Sequence, residues 1–118
     1  MTTTMAGKRV LVVEDEYFIA RSLVDDLQAG GADVLGPAAT IADALNLIAA
    51  GPLDAAVLDI NLRGEMAYSV VDALVERAIP VVLTTGYSAS ALPTRYATLP
   101  RCDKPVEVDR LVTVLFPA

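Results

Sequence analysis

Short apolar runs alternate along this chain with stretches in which apolar residues recur every three or four positions. The short runs are typical of buried strands, and the longer period is typical of helices that pack one face against a core. Strands are predicted at residues 8–13, 32–35 and 53–58, then from residue 80, and at about 100–103. Helices are predicted between and after them, at residues 16–29, 40–50, roughly 67–78 and about 107–115.

Glycine, proline and small polar residues mark the ends of these elements. Gly30-Gly31 stops the first helix and Gly36-Pro37 closes the second strand. Serines and prolines in and beside residues 88–99 weaken any long helix, so one short or irregular turn is expected there. Residues 1–7 are small and polar and are predicted to form a flexible tail. No linker or repeat is visible, so residues 8–118 are predicted to form one domain.

The order of the elements predicts an α/β fold. Strand and helix alternate five times, which implies right-handed crossovers and a parallel sheet between two layers of helices. The composition agrees, because 54% of the residues are apolar and only 5% are aromatic. An aliphatic core of this kind suits parallel strands that are covered on both faces.

Charge and residue usage exclude several functions. The net charge of -6 disfavours nonspecific nucleic-acid binding, and the absence of histidine excludes serine–histidine or cysteine–histidine catalysis and most zinc sites. The single cysteine, Cys102, is expected to be a small buried hydrophobe. No stretch is apolar enough to span a bilayer and the N-terminus has no apolar signal core, so a cytoplasmic location is expected.

Polar side chains follow the apolar runs where four of the predicted strands end. Glu14-Asp15 follows the first run, and Asp59 follows the buried run that begins at Ala55. Thr85 ends the fourth strand, and Lys104 comes directly after the fifth. Open α/β sheets place their ligand sites at the carboxyl ends of the strands, so these side chains are expected to share one cleft.

Three crowded carboxylates repel one another, and a divalent cation would relieve that repulsion. Ligation by oxygen alone, with no histidine or cysteine, indicates a hard ion, Mg²⁺ or Mn²⁺. With a lysine and a hydroxyl to hold phosphoryl oxygens, the set fits a phosphoryl-transfer site with a carboxylate nucleophile. Taken singly, each residue also has a structural explanation: Asp59 as a turn residue, Glu14-Asp15 as a helix cap, Lys104 as a surface lysine and Thr85-Gly86 as a turn.

Over nearly its whole length the chain resembles the receiver domain of two-component response regulators. The matching motifs are Glu14-Asp15, Asp59, Thr85 and Lys104-Pro105, in this order and at these spacings. The resemblance implies a flavodoxin-like (CheY-like) fold with five parallel strands in the order 2-1-3-4-5 and five helices.

The resemblance also implies roles for these residues. Asp59 would accept a phosphoryl group from a histidine kinase or a phosphotransfer protein. Asp15, Asp59 and the backbone carbonyl of Asn61 would bind Mg²⁺ directly, and Glu14 would act through water. Thr85 and Lys104 would bind the phosphoryl oxygens, and the peptide bond after Lys104 would be cis.

The segment Pro80-Val81-Val82-Leu83-Thr84-Thr85-Gly86-Tyr87 is similar to the signature of the alphaproteobacterial "FAT GUY" single-domain regulators. Receiver domains usually carry an aromatic switch residue three positions before the conserved lysine, but here that position is Arg101. We therefore hypothesise that Tyr87 reports phosphorylation together with residues 88–99, and that Arg101 is an exposed partner contact.

Two other functions fit parts of the pattern. An Mg²⁺-dependent phosphatase with an aspartyl nucleophile usually carries a second acid two residues after that nucleophile, but Asn61 stands there and cannot donate a proton in that way. A pseudo-receiver would be an interaction module that never binds phosphate, and it would need none of the matching residues. A stand-alone regulator that acts as a phosphate shuttle or sink is expected, although a receiver from a larger kinase would look the same.

Overall fold

The computed structural model describes residues 5–85, 92–104 and 106–116, with only the backbone of Thr85. Within these ranges four α-helices pack on a parallel five-stranded sheet. The helices are α1 (Tyr17–Ala29), α2 (Ile41–Ala50), α3 (Tyr68–Glu76) and α4 (Val108–Leu115). The strands are β1 (Arg9–Val13), β2 (Asp33–Ala38), β3 (Ala55–Asp59), β4 (Asn61–Leu62), β5 (Glu65–Met66), β6 (Val81–Thr85) and β7 (Arg101–Asp103).

The main sheet has the order β2-β1-β3-β6-β7 with every neighbouring pair parallel. This confirms the predicted flavodoxin-like order. β3 lies at the centre and all five of its residues are buried. Strands buried on both faces need apolar side chains at consecutive positions, which explains the uninterrupted run that ends at Asp59.

Side chains of successive strand residues point to opposite faces, so each strand serves two cores. Val10 and Val12 pack on the face covered by α1 and α4, together with Val57, Val82 and Cys102. Leu11 and Val13 pack on the other face against α2 and α3. The burial of Cys102, which is 1% exposed, confirms its expected role as a core residue.

The second strand is longer than predicted. The sequence predicts that Gly36-Pro37 closes this strand, yet β2 runs through both residues to Ala38. The pairing of β1 with β2 shifts between Leu11 and Val13, and Gly36 at that irregularity has a φ of +101°. A Cβ at Gly36 would lie 2.7 Å from the carbonyl oxygen of Val12, so glycine is required here by both conformation and space.

The described residues hold four α-helices, whereas the resemblance implies five in the whole chain. In the described part of residues 88–99, the only helix is a 3-10 turn at Thr94–Tyr96, in line with the short or irregular element predicted there. Val75, predicted on the buried face of the third helix, is 51% exposed, whereas its neighbour Leu74 in the same last turn of α3 is fully buried.

Part of the predicted N-terminal tail is packed. Met5 is 4% exposed, because its side chain fills the space beside Gly30 that a Cβ would otherwise occupy. The N–H of Gly7 donates to the carbonyl oxygen of Gly31. None of the helices in the described ranges is long and apolar enough to cross a membrane.

Candidate functional site

The register of the sheet brings the predicted site residues together at the carboxyl ends of the strands. Val13 pairs with Leu58, so Glu14 and Asp59, which follow them, are neighbours. Thr85 pairs with Asp103, which places Lys104 next to the same edge. Glu14 is held in place because its N–H donates to the carbonyl oxygen of Ala38. The register therefore brings Glu14, Asp59 and Lys104 to the same end of the sheet.

Lys104 joins two buried carboxylates. Its Nζ donates to Asp59 Oδ2 at 2.7 Å and lies 2.9 Å from Glu14 Oε1. Asp59 and Glu14 are 6% and 3% exposed. The other oxygen of each carboxylate accepts a backbone N–H, from Asn61 to Asp59 Oδ1 and from Glu16 to Glu14 Oε2, each at 3.0 Å. These bonds hold the oxygens in fixed directions, as a reacting carboxylate requires.

Burial and neighbouring charges shift the pKa values of Glu14 and Lys104. Burial is the largest cause that raises the pKa of Glu14 above the ordinary carboxyl value, and the hydrogen bond from Lys104 offsets it in part. Burial works against the charge of Lys104, but hydrogen bonds to Asp59 and Glu14 outweigh it and raise the pKa of the lysine. The ammonium thus stays charged at neutral pH.

Asp15 completes a cluster of three carboxylates. Glu14, Asp15 and Asp59 each offer an oxygen within 4.8 Å of the others, a spacing that suits a single cation. Asp15 lies just before α1, whose N-cap residue Glu16 accepts the N–H of Ile19 at 2.9 Å. The cap fixes the start of the helix and so the direction in which Asp15 leaves the sheet.

The chain after Asp59 forms a small hairpin, in which β4 pairs antiparallel with β5. Arg63 at its tip lies with Nε 3.7 Å from Asp15 Oδ2. Sequence reasoning did not assign this arginine to the site, because no spacing rule predicts which acidic residue a loop arginine will contact.

Several predictions fall on residues that are not described. The side chain of Thr85, the peptide bond to Pro105 and the whole of Tyr87 lie outside the described part of the chain, so the roles predicted for them stay predictions. Arg101 is described and is half-buried, with its backbone paired to Leu83. It is therefore less exposed than predicted, because β7 pairs it with β6, and the partner contact predicted for it stays a hypothesis.

This arrangement has the groups that phosphoryl transfer requires. The Asp59 carboxylate is held in a fixed direction, two further carboxylates lie beside it, and the ammonium of Lys104 contacts one of its oxygens. Positive charge at the oxygens of a transferring group is the main form of catalysis in such reactions.

Solved structures are similar to this chain over nearly its whole length. The solution structure of SdrG from Sphingomonas melonis Fr1 is 36% identical, covering 97% of this chain and 96% of that chain, with a TM-score of 0.80. The BeF3-activated conformation of SdrG from Pseudomonas melonis Fr1 is 38% identical, covering 93% and 94%, with a TM-score of 0.76. The receiver (REC) domain of the PhyR response regulator from Erythrobacter litoralis is 30% identical, covering 94% and 88%, with a TM-score of 0.78.

The fold, the site and these similarities place the chain in one family: it belongs to the response regulator receiver domains. No protein-family model and no curated protein sequence matches it.

Proposed function

We propose that this chain is a single-domain response regulator of the FAT GUY type, with residues 8–118 as its receiver domain, and that it accepts a phosphoryl group on Asp59. The observation that carries the proposal is the contact of Lys104 Nζ with Asp59 Oδ2 at 2.7 Å, beside a cluster of three carboxylates at the strand ends. SdrG, which is 38% identical in its BeF3-activated form, offers support, because beryllofluoride mimics a phosphoryl group.

In the proposed reaction an oxygen of Asp59 attacks the phosphorus of a phosphohistidine. A new O–P bond forms, the N–P bond breaks, and its electron pair leaves with the imidazole, so that Asp59 becomes an acyl phosphate. Lys104 holds positive charge against the transferring oxygens, and we assign the hydroxyl of Thr85 to the same task. The protein thus catalyses its own phosphorylation and dephosphorylation and no other turnover.

The residues fit a divalent cation, because three carboxylates converge within 4.8 Å and all the donors are hard oxygens. We assign Asp15, Asp59 and the carbonyl of Asn61 as direct ligands of Mg²⁺, or of Mn²⁺ in its place, with Glu14 acting through water. When bound, the cation would neutralise charge on the phosphoryl oxygens.

The partner would be a histidine kinase or a phosphotransfer protein in the cytoplasm. Tyr17 and Phe18, at the start of α1, are 69% and 76% exposed and pack edge to face. They lie two and three residues after Asp15, so a protein that delivers its phosphohistidine to Asp59 would cover them. We propose that this aromatic pair is part of the docking surface for the phosphodonor, and that output is also by protein–protein contact.

Labelling of Asp59 tests the proposed function. Wild-type protein with Mg²⁺ and radiolabelled acetyl phosphate should take up label, and Asp59→Asn should fold normally but take up none. Asp103→Asn, which removes an exposed carboxylate at the same sheet edge, is the matched control and should label as the wild type does. Label retained by Asp59→Asn would refute the assignment. Steady release of phosphate from a small-molecule ester would indicate a phosphatase, and no label on the wild type would indicate a pseudo-receiver.

A further inference from the structure

The hairpin that follows Asp59 is anchored to the site at two points. The N–H of Asn61 donates to Asp59 Oδ1 at 3.0 Å, and the N–H of Gly64 donates to Asn61 Oδ1 at 2.7 Å. The tip residues Arg63 and Gly64 have φ values of +54° and +86°. A non-glycine residue with positive φ is uncommon, so the backbone at Arg63 is held in this shape by the hairpin around it.

This anchoring directs Arg63 toward Asp15. Its Nε lies 3.7 Å from Asp15 Oδ2, and the arginine side chain is 79% exposed whereas the aspartate is 16% exposed. The guanidinium therefore stands on the solvent side of a carboxylate that faces the cluster. In the described residues, Lys104 forms ion pairs with Glu14 and Asp59, and Arg63 forms one with Asp15.

We propose that Arg63 is a built-in competitor of the divalent cation for Asp15, and that it thereby sets the Mg²⁺ concentration at which the site becomes loaded. This inference rests on the proposed function, since it takes Asp15 as a metal ligand. A cation that binds Asp15 must displace the guanidinium or accept its repulsion, so the ion pair lowers the affinity for Mg²⁺. By linkage, the bound ion weakens the hold of Arg63 on Asp15 by the same factor.

The exposure of Arg63 bounds the size of the effect. Exposed ion pairs contribute little, so removing the arginine should tighten Mg²⁺ binding by about two- to fivefold. The effect is electrostatic and largely exposed to solvent, so raising the ionic strength from about 0.02 M to about 0.5 M should reduce it.

The test is a Mg²⁺ titration, followed by calorimetry and by backbone amide shifts, of wild type, Arg63→Ala, Arg63→Lys and Arg21→Ala. Arg21 is the matched control, because it is an exposed arginine paired with Asp25 at 3.5 Å on α1 and its removal changes the net charge equally. We expect tighter binding for Arg63→Ala alone, with Arg63→Lys close to wild type and the difference reduced in high salt.

The outcomes separate this inference from the proposed function. Equal affinities for Arg63→Ala and Arg21→Ala, or weaker binding by Arg63→Ala, would refute the role of Arg63 and leave the metal site standing. Asp15→Asn is titrated alongside. If it binds Mg²⁺ as well as the wild type, or if the wild type binds none, the metal site itself is refuted and the role of Arg63 with it.

Discussion

At the scale of single residues, one ammonium group serves two buried carboxylates. Lys104 Nζ lies 2.7 Å from Asp59 and 2.9 Å from Glu14, and its own side chain is 23% exposed. Buried charges are tolerated when they are paired and hydrogen-bonded, and both conditions hold here. Removing one partner of such a group is costly, because the remaining charges stay buried without compensation.

We therefore predict that Lys104→Met destabilises the protein by about 3 kcal/mol in metal-free buffer, and that Mg²⁺ restores part of the loss by supplying positive charge to the same carboxylates. Chemical denaturation with and without Mg²⁺ measures both effects. Lys8→Met, at the chain's other lysine, is the control and should change stability by less than about 0.5 kcal/mol in either buffer. A Lys104→Met protein as stable as the control would show that the carboxylates need no counter-charge.

At the scale of elements, a tether holds the 3-10 turn Thr94–Tyr96 against α3. Tyr96 is 2% exposed, and its hydroxyl donates to Asp72 Oδ1 at 2.6 Å and lies 3.2 Å from the carbonyl oxygen of Tyr68. Arg95 stacks over the Tyr96 ring at 4.5 Å and pairs with Asp72 at 3.4 Å. The turn is thus docked by the buried Tyr96 ring, by the hydrogen bond from its hydroxyl to Asp72, and by the Arg95–Asp72 ion pair.

The contact of Tyr96 with Asp72 should make the stability of the protein depend on pH in the alkaline range. Burial, with the hydrogen bond to Asp72, raises the pKa of Tyr96 from 10.0 to about 12. A folded-state pKa above the unfolded value gives stability that is complete below pH 10 and lost as the pH rises toward 12. We predict that Tyr96→Phe is less stable by about 1–2 kcal/mol at neutral pH, through the lost hydrogen bond. It should also lose less stability than wild type across the alkaline window.

Denaturation curves at several pH values up to about 12 check this prediction. Tyr17→Phe is the control, since it removes a phenol that is 69% exposed and should follow the wild type. If the stability of Tyr96→Phe falls with rising pH as steeply as that of the wild type, the pKa of this phenol does not differ between the folded and unfolded states.

The elements that the sequence predicts best are those whose pattern reflects burial on both faces. Val57 and Leu58 lie in such a run, and β3 appears where it is predicted. β2 was predicted too short, because Gly36-Pro37 ordinarily ends a strand and only the neighbouring β1 shows that the pairing continues beyond it. The β4–β5 hairpin was missed because two-residue strands carry no hydrophobic period.

At the scale of the whole molecule, the sequence predicts which of the described side chains meet at the strand ends but not every pair of residues that forms a contact there. The sequence order of strand ends predicts that Glu14, Asp59 and Lys104 meet, and they do. The pairing of Arg63 with Asp15 and of Tyr96 with Asp72 depends on loop geometry and on long-range packing. No local pattern specifies either, which is why both emerge only from the structure.

Two exposed hydrophobic residues lie at opposite ends of the parallel strands. Phe18 lies near the carboxyl ends, which carry the site. Val75 lies in the last turn of α3, near the start of β6 and so at the amino ends. Both are exposed large hydrophobic residues, at 76% and 51%. If a protein phosphodonor docks beside the site, only the first of them lies in its path.

We predict that Phe18→Ala lowers the rate of transfer from a phosphorylated histidine kinase by about tenfold or more, the usual effect of removing an aromatic anchor from an interface. Labelling by acetyl phosphate should be unchanged, because a small donor needs no docking surface. The kinase is the one that labels wild type in a screen of purified histidine kinases. Val75→Ala is the matched control and should behave as wild type with both donors. Equal loss with both donors would mean that Phe18→Ala disturbs the site itself, and equal transfer from the kinase to all three proteins would place the docking surface elsewhere.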